Sequence, residues 1–134
     1  MTVLHDLTFY TFPNEGETEC LHIGLFASHG DAAAVAARYR GEVPGFKDYD
    51  CVARIEEVPV ADADVDAREL WRFVGWNVDA RGNEVDIIRS ACYGSRAEAE
   101  AALDCAMRET PRQEWAINRC IVGRCDWQEG FVRS

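Results

Sequence analysis

The chain has 134 residues, of which 48% are hydrophobic and 28% are charged, and its formal net charge is −10. This composition is ordinary for one globular domain and argues against disorder, and its apolar runs are all far shorter than the roughly 20 residues needed to span a bilayer. Because an acidic surface repels phosphate backbones, nucleic acids are not expected partners, and neither is a membrane.

The first elements in chain order are three predicted strands. Residues 7–12 are rich in β-forming side chains and stop at Pro13, and residues 20–27 alternate between apolar and polar positions. These two runs predict an antiparallel hairpin with a polar loop. Residues 49–60 alternate again and predict the third strand of this half.

A helix is predicted between the second and third strands. Ser28 is a favourable N-cap residue, and Asp31 stands three residues after it, as in a capping box. The helix is expected to end near Gly41, before Pro44, because proline does not continue a helix.

The second half repeats this order of elements. Strands are predicted over 70–78 and 85–93, a helix over 95–109 and a last strand over 114–124. Three markers recur at one constant offset, with no gap needed between them: Ser28 with Ser95, Asp31 with Glu98, and Pro44 with Pro111.

The repetition predicts an α+β fold in a single domain, residues 1–134. Two tandem β-β-α-β repeats, about 4–60 and 69–132, are joined by an acidic linker over 61–68 and form an antiparallel-rich sheet layer with two packed helices. The strands form either one continuous sheet or two facing sheets. All four tryptophans lie in the second repeat, which predicts that this half is the more stable one.

The cysteines are interpreted as free thiols. No export signal is recognised near Met1, and most cysteines stand within apolar patterns, so a reducing cytoplasm is expected. The six are Cys20, Cys51, Cys92, Cys105, Cys120 and Cys125.

No catalytic set is recognised, so a non-enzyme is expected. Ser28 and His29 are adjacent, which rarely gives the geometry of a nucleophile and its base, and a helix cap explains the serine. Neither a phosphate-binding loop nor a dinucleotide fingerprint occurs, so no cofactor is expected.

Metal binding is also not expected. Asp62, Asp64 and Asp66 resemble the start of a calcium loop, but Ala67 stands where an EF-hand needs glycine. Cys20 and His22 lie on one face of a strand but lack the paired spacing of structural zinc sites.

Two segments carry a resemblance to a known group of proteins. Pro44-Gly45-Phe46-Lys47-Asp48-Tyr49 and Trp127-Gln128-Glu129-Gly130-Phe131, together with the run from Ile23 to Ala32, resemble a family of small uncharacterised bacterial domains with PGFxDY and WxEGF motifs. That family has no assigned activity and implies no catalytic residues. Its two motifs share one unit, whereas in this sequence they are expected in different repeats.

The leading functional hypothesis follows from the charge distribution. Residues 1–69 contain 14 acids and 5 bases, while residues 70–134 contain 10 acids and 9 bases. An acidic first half favours a basic protein partner, and a bacterial immunity protein that neutralises a toxin effector fits this description. The expected partner-binding residues are Glu15, Glu17, Glu19, Phe46, Tyr49, Glu56, Glu57, Asp62, Asp64, Asp66, Trp127 and Glu129.

Two other functions stay open. Edge strands of an open sheet can pair across a homodimer, which would make the chain a self-associating structural or regulatory domain. A cleft between the repeats could instead bind a small ligand or hold an active site. A further interpretation of Phe46 and Trp127 is that they cover the ends of the sheet and do not touch a partner.

Overall fold

A computed structural model describes residues 3–61 and 68–133, which contain six strands and two helices. The α+β class and the repeated order of elements are confirmed. In chain order the elements are β1 (Val3–Thr11), β2 (Glu19–Phe26), α1 (His29–Glu42), β3 (Cys51–Pro59), β4 (Glu69–Val78), β5 (Glu84–Arg89), α2 (Arg96–Glu109) and β6 (Glu114–Ile121).

The strands form two separate three-stranded sheets. The order is β2-β1-β3 in one sheet and β5-β4-β6 in the other, so the first strand of each repeat lies in the centre. Both hairpins are antiparallel, and each contains one irregularity in register. A single continuous sheet over both repeats is therefore not formed by the described residues.

The two helices begin in the same way because the same capping chemistry recurs. The hydroxyl of Ser28 accepts a hydrogen bond from the backbone N–H of Asp31 at 3.0 Å. The hydroxyl of Ser95 accepts one from Glu98 at 3.2 Å. Both helices have 14 residues, so the predicted constant offset holds over their full length.

The chain divides into two compact units. The first unit combines Val3–Val58 with the C-terminal segment that starts at Val122, and the second unit contains Pro59–Ile121. Residues 122–133 are called the tail below. The tail follows the second repeat in sequence but belongs to the structural unit built by the first repeat.

The last strand is shorter than predicted, and the tail is the reason. A strand is expected over 114–124, but β6 ends at Ile121. Gly123 follows with φ +86°, a left-handed conformation that glycine adopts without steric cost. The chain turns at this glycine and enters the tail.

Apolar side chains of the first unit form its core. Leu7, Phe9, Leu21 and Ile23 come from the hairpin, and Tyr39 comes from α1. Within the described part of the chain, no helix is both long and apolar enough to cross a membrane.

Candidate protein-binding surface

The tail runs along the outer edge of β2 in the first unit. The backbone N–H of Gly123 donates to the carbonyl of Leu25, and that of Asp126 donates to the carbonyl of Ile23, both at 2.8 Å. The phenol of Tyr39 donates to the carbonyl of Asp126 at 2.7 Å. The tail therefore satisfies edge carbonyls that a free strand would leave open to pairing.

Two glycines allow the tail to approach this closely. A Cβ added at Gly24 would overlap the carbonyl oxygen of Arg124, and one added at Gly130 would overlap the carbonyl oxygen of Pro44. Phe131 then donates its backbone N–H to that same Pro44 oxygen at 3.1 Å. Backbone lies directly against backbone at both places.

An aromatic cluster fixes the end of the tail. The ring of Phe46 lies 4.9 Å from Phe9, 5.2 Å from Tyr39 and 5.1 Å from Phe131, measured between centroids. Burial raises the pKa of Tyr39 above the ordinary value for a phenol. Such tilted and edge-to-face ring pairs contribute more to the stability of a fold than their buried area alone would give.

The two motif segments thus meet in one unit, which differs from the expectation that they lie in different repeats. Gly45, with φ +87°, donates its backbone N–H to the carboxylate of Asp48 at 3.0 Å and so closes the turn after α1. Phe46 is only 2% exposed, so it packs in the core and does not offer a surface to a partner. The covering role considered for this residue is the one that the structure supports.

The β1–β2 hairpin loop contains exposed carboxylates and an exposed aromatic ring. Glu15 is exposed at the tip, and Gly16 follows with φ +77°. The carboxylate of Glu17 accepts a hydrogen bond from the side chain of Asn14 at 3.0 Å. Phe12 is 55% exposed at the start of this loop.

Glu19 lies at the other end of the same loop and links it to the tail. Its carboxylate accepts a hydrogen bond from the hydroxyl of Thr11 at 3.3 Å and lies 3.9 Å from the guanidinium of Arg133. Arg133 also lies over the rings of Tyr49 and Phe131, at 5.4 and 5.1 Å from their centroids. Tyr49, which stacks on Phe131, is partly exposed, so the loop, the tail end and this tyrosine are neighbours.

Sequence reasoning missed Phe12 and Arg133 as members of this surface. The β-rich run predicts a strand through Phe12, yet β1 ends one residue earlier at Thr11. Its position directly before Pro13 is the available signal, because proline usually ends strand pairing. No sequence signal links Arg133 to Glu19, since the two residues lie near opposite ends of the chain.

The other expected binding residues are spread over separate parts of the chain. Glu56 on β3 pairs with Arg54 at 2.7 Å. Both side chains are more than half exposed, so this ion pair contributes little to the stability of the fold. Glu57 is exposed next to it. The structure does not bring these two residues into contact with the hairpin loop, and Asp62, Asp64 and Asp66 lie outside the described residues.

Trp127 and Glu129 are exposed residues of the tail. Trp127 has φ +60°, which is uncommon for a residue with a side chain, and its carbonyl accepts the N–H of Gly130 at 2.9 Å. This tight turn holds the indole partly exposed while Gly130 contacts Pro44.

The charge asymmetry changes when residues are grouped by structural unit. The first unit has 12 acids and 6 bases, a net charge of −6, and the second has 12 acids and 8 bases, a net charge of −4. The tail brings Arg124 and Arg133 to the first unit. Most of the contrast between the two halves of the sequence is therefore absent between the units, and local clusters matter more than the net charge of a half.

Two of the polar residues considered for chemistry make local structural contacts. Ser28 caps α1, and His22 pairs with Asp6 at 2.5 Å. Burial raises the pKa of the Cys51 thiol. Among residues 3–61 and 68–133, no three His, Cys, Asp or Glu side chains are grouped so that they could hold a metal ion.

Comparison of the chain with family models, with curated proteins and with solved structures finds no match.

Proposed function

We propose that the chain is a non-catalytic protein-binding module and that its hairpin loop, taken with the first residue of β2 as residues 12–19, is the contact surface for a basic protein. Within this class, an immunity protein that neutralises a toxin effector is the function that fits best. The observation that supports the proposal is an exposed Phe12 in the same hairpin as the exposed Glu15, Glu17 and Glu19, of which the last two are held by hydrogen bonds.

Fixed geometry favours binding because less conformational freedom is lost on association. Glu17 is held by Asn14 through both a side-chain bond and a backbone bond, each at 3.0 Å. Glu19 is held by Thr11. Ordering a long side chain at an interface costs about 0.5–1.5 kcal/mol, and part of this cost is already met in the free loop.

An aromatic ring among carboxylates has two separate effects on binding. Large aromatic side chains are typical anchors of interfaces, because they bury much apolar area in one pocket. The carboxylates attract a basic partner before contact, and this raises the association rate at low salt. Carboxylates also imitate phosphate groups, so such a loop can cover the active site of a basic nuclease.

A photo-crosslinking residue at Phe12 tests the proposal directly. The matched control carries the same residue at Met107, which is exposed on α2 in the second unit. In a lysate of the native host, we expect a basic protein to be trapped from position 12 and not from position 107. Expression of the trapped protein alone should be toxic to cells, and coexpression of this chain should relieve the toxicity.

Kinetics with the trapped protein then separate charge from shape. We expect Glu15→Lys with Glu17→Lys to slow association about tenfold at low salt, and the effect should fade at high salt as screening increases. Asp104→Lys with Glu109→Lys changes the net charge equally on exposed positions of α2 and should have little effect.

Three results would contradict the proposal. Equal trapping from both positions would show that the hairpin loop is not the contact surface. A trapped second copy of the chain would favour the self-associating alternative. A trapped protein with no toxicity would remove the inhibitor function and leave only a binding role.

A further inference from the structure

In each unit, the chain that leaves the last strand of the other repeat forms backbone hydrogen bonds. The chain leaving β3 does so in the second unit, and the tail, which leaves β6, does so in the first unit. In the second unit, the backbone N–H of Cys92 donates to the carbonyl of Pro59 at 2.9 Å. The carbonyl of Cys92 accepts the N–H of Ala61 at 2.8 Å. In the first unit, the carbonyl of Leu25 accepts the N–H of Gly123 at 2.8 Å. Cys92 and Leu25 are related by the same offset as the two helix caps, so equivalent positions of the two repeats receive an incoming segment.

We propose that the tail also docks on the first unit of a second copy of this chain, so that two copies exchange tails and form a dimer. The contacts that the exchanged tail would keep are formed by residues 126–131 with β2, Tyr39, Pro44 and Phe46, whereas the bond of Gly123 to Leu25 would be given up. All of these contacts are between the tail and the first unit itself. A tail from another copy can therefore make the same contacts, which is the basis of domain swapping.

Gly123 is the hinge of this exchange. The boundary between the units falls between Ile121 and Val122, and Gly123 lies between β6 and the first hydrogen bond that the exchanged tail would keep, that of Asp126 to Ile23. Gly123 is exposed, has φ +86° and has no atom within 4 Å of the position of a Cβ. An extended conformation at this residue would direct the tail away from its own unit.

The partner copy would contribute residues to the surface of the first unit. Phe131 would complete the aromatic cluster around Phe46, and Arg133 would lie beside Tyr49 and Glu19. The first unit is incomplete without these side chains. The proposal does not depend on the acidic loop binding a basic protein, since the tail contacts differ from those of Phe12 and Glu15.

Substitution at the hinge tests the exchange in the full-length chain. Gly123→Val is strained at positive φ only when the tail docks on its own unit. Removing the strain at one valine favours the dimer about tenfold. A dimer has two hinges, so its dissociation constant should be about a hundredfold lower than that of the unsubstituted chain. Light scattering over a concentration series measures this constant.

Gly82→Val is the matched control, because Gly82 has φ +84° and equally open surroundings in the β4–β5 turn. It carries the same strain without lying at the hinge, so its dissociation constant should not change. If Gly123→Val does not fold, Gly123→Ala with Gly82→Ala gives the same comparison with a smaller expected shift.

Isotope-filtered nuclear Overhauser effects identify the exchanged segment. In a mixture of labelled and unlabelled hinge variant, refolded together, signals are expected between Phe131 of one copy and Phe46 of the other, since their centroids lie 5.1 Å apart when the tail is docked. The proposal is overturned if the hinge variant dimerises no more than its control, or if it dimerises without these signals between copies.

Discussion

The two units have the same elements but bury very different amounts of side chain. Both have a 14-residue helix after a serine cap and a sheet with the first strand in the centre. Helix α1 buries Ala32, Ala36 and Tyr39, whereas α2 buries only Ala99. Short-range signals therefore set the elements of both units, while the depth of the core depends on particular large side chains.

The aromatic cluster of the first unit has no equivalent among the described residues of the second. At the offset that relates Ser28 to Ser95, Ala106 replaces Tyr39 and Gln113 replaces Phe46. The tail adds Phe131 to the first unit alone. The distribution of tryptophans predicts the opposite order of stability, but Trp127 belongs to the tail of the first unit and the other three are only partly buried.

Phe46→Ala is expected to have the largest effect, since it removes the ring at the centre of the cluster. Truncating a buried phenylalanine costs about 3–5 kcal/mol. Hydrogen exchange should show this loss for the amides of α1, while the amides of α2 keep their protection. Equal loss of protection in both helices would show that the two units unfold together. It would contradict the view that the cluster stabilises the first unit alone.

Gly130→Ala is expected to release the tail at a cost of about 3 kcal/mol, from strain at positive φ and from overlap with Pro44. The control is Gly16→Ala, where φ is +77° but nothing lies within 4 Å of the added Cβ. Only strain of about 1–2 kcal/mol is expected there. Denaturant titration followed by tryptophan fluorescence measures both, and equal effects would refute close contact between Gly130 and Pro44.

Tyr39→Phe removes the hydrogen bond to Asp126 and should cost about 1 kcal/mol. Because burial raises the pKa of Tyr39 in the folded chain, its contribution is present below about pH 10 and is lost as the pH rises through the raised pKa. The unsubstituted chain should therefore lose stability more steeply at alkaline pH than the variant. Parallel curves from pH 8 to 11 would contradict this role of the phenol.

Effects as small as that of Tyr39→Phe are expected from the two helix caps. Ser28→Ala and Ser95→Ala each remove one capping hydrogen bond and should each cost about 1 kcal/mol. Circular dichroism during denaturation measures both variants. Similar values would support equal local signals in the two repeats, and a cost at only one serine would show that packing dominates even at the helix ends.

The elements were predictable because their signals are local. Ser28 and Ser95 identify both helix starts, and alternating residues identify the strands. The place of the tail was not predictable, since the bonds of Gly123 and Asp126 to β2 join residues that are far apart in the sequence. For the surface, composition points to Glu15, Glu17 and Glu19, whereas Phe46 was expected there although the residue packs in the core.

The interruption of the first unit by the second has a consequence for synthesis on the ribosome. Chains are made from the N-terminus, and domains generally fold in that order. Residues 59–121 of the second unit are contiguous, so this later unit is complete while the earlier one still lacks Phe131. The aromatic cluster around Phe46 can therefore close only after the whole second unit has been synthesised.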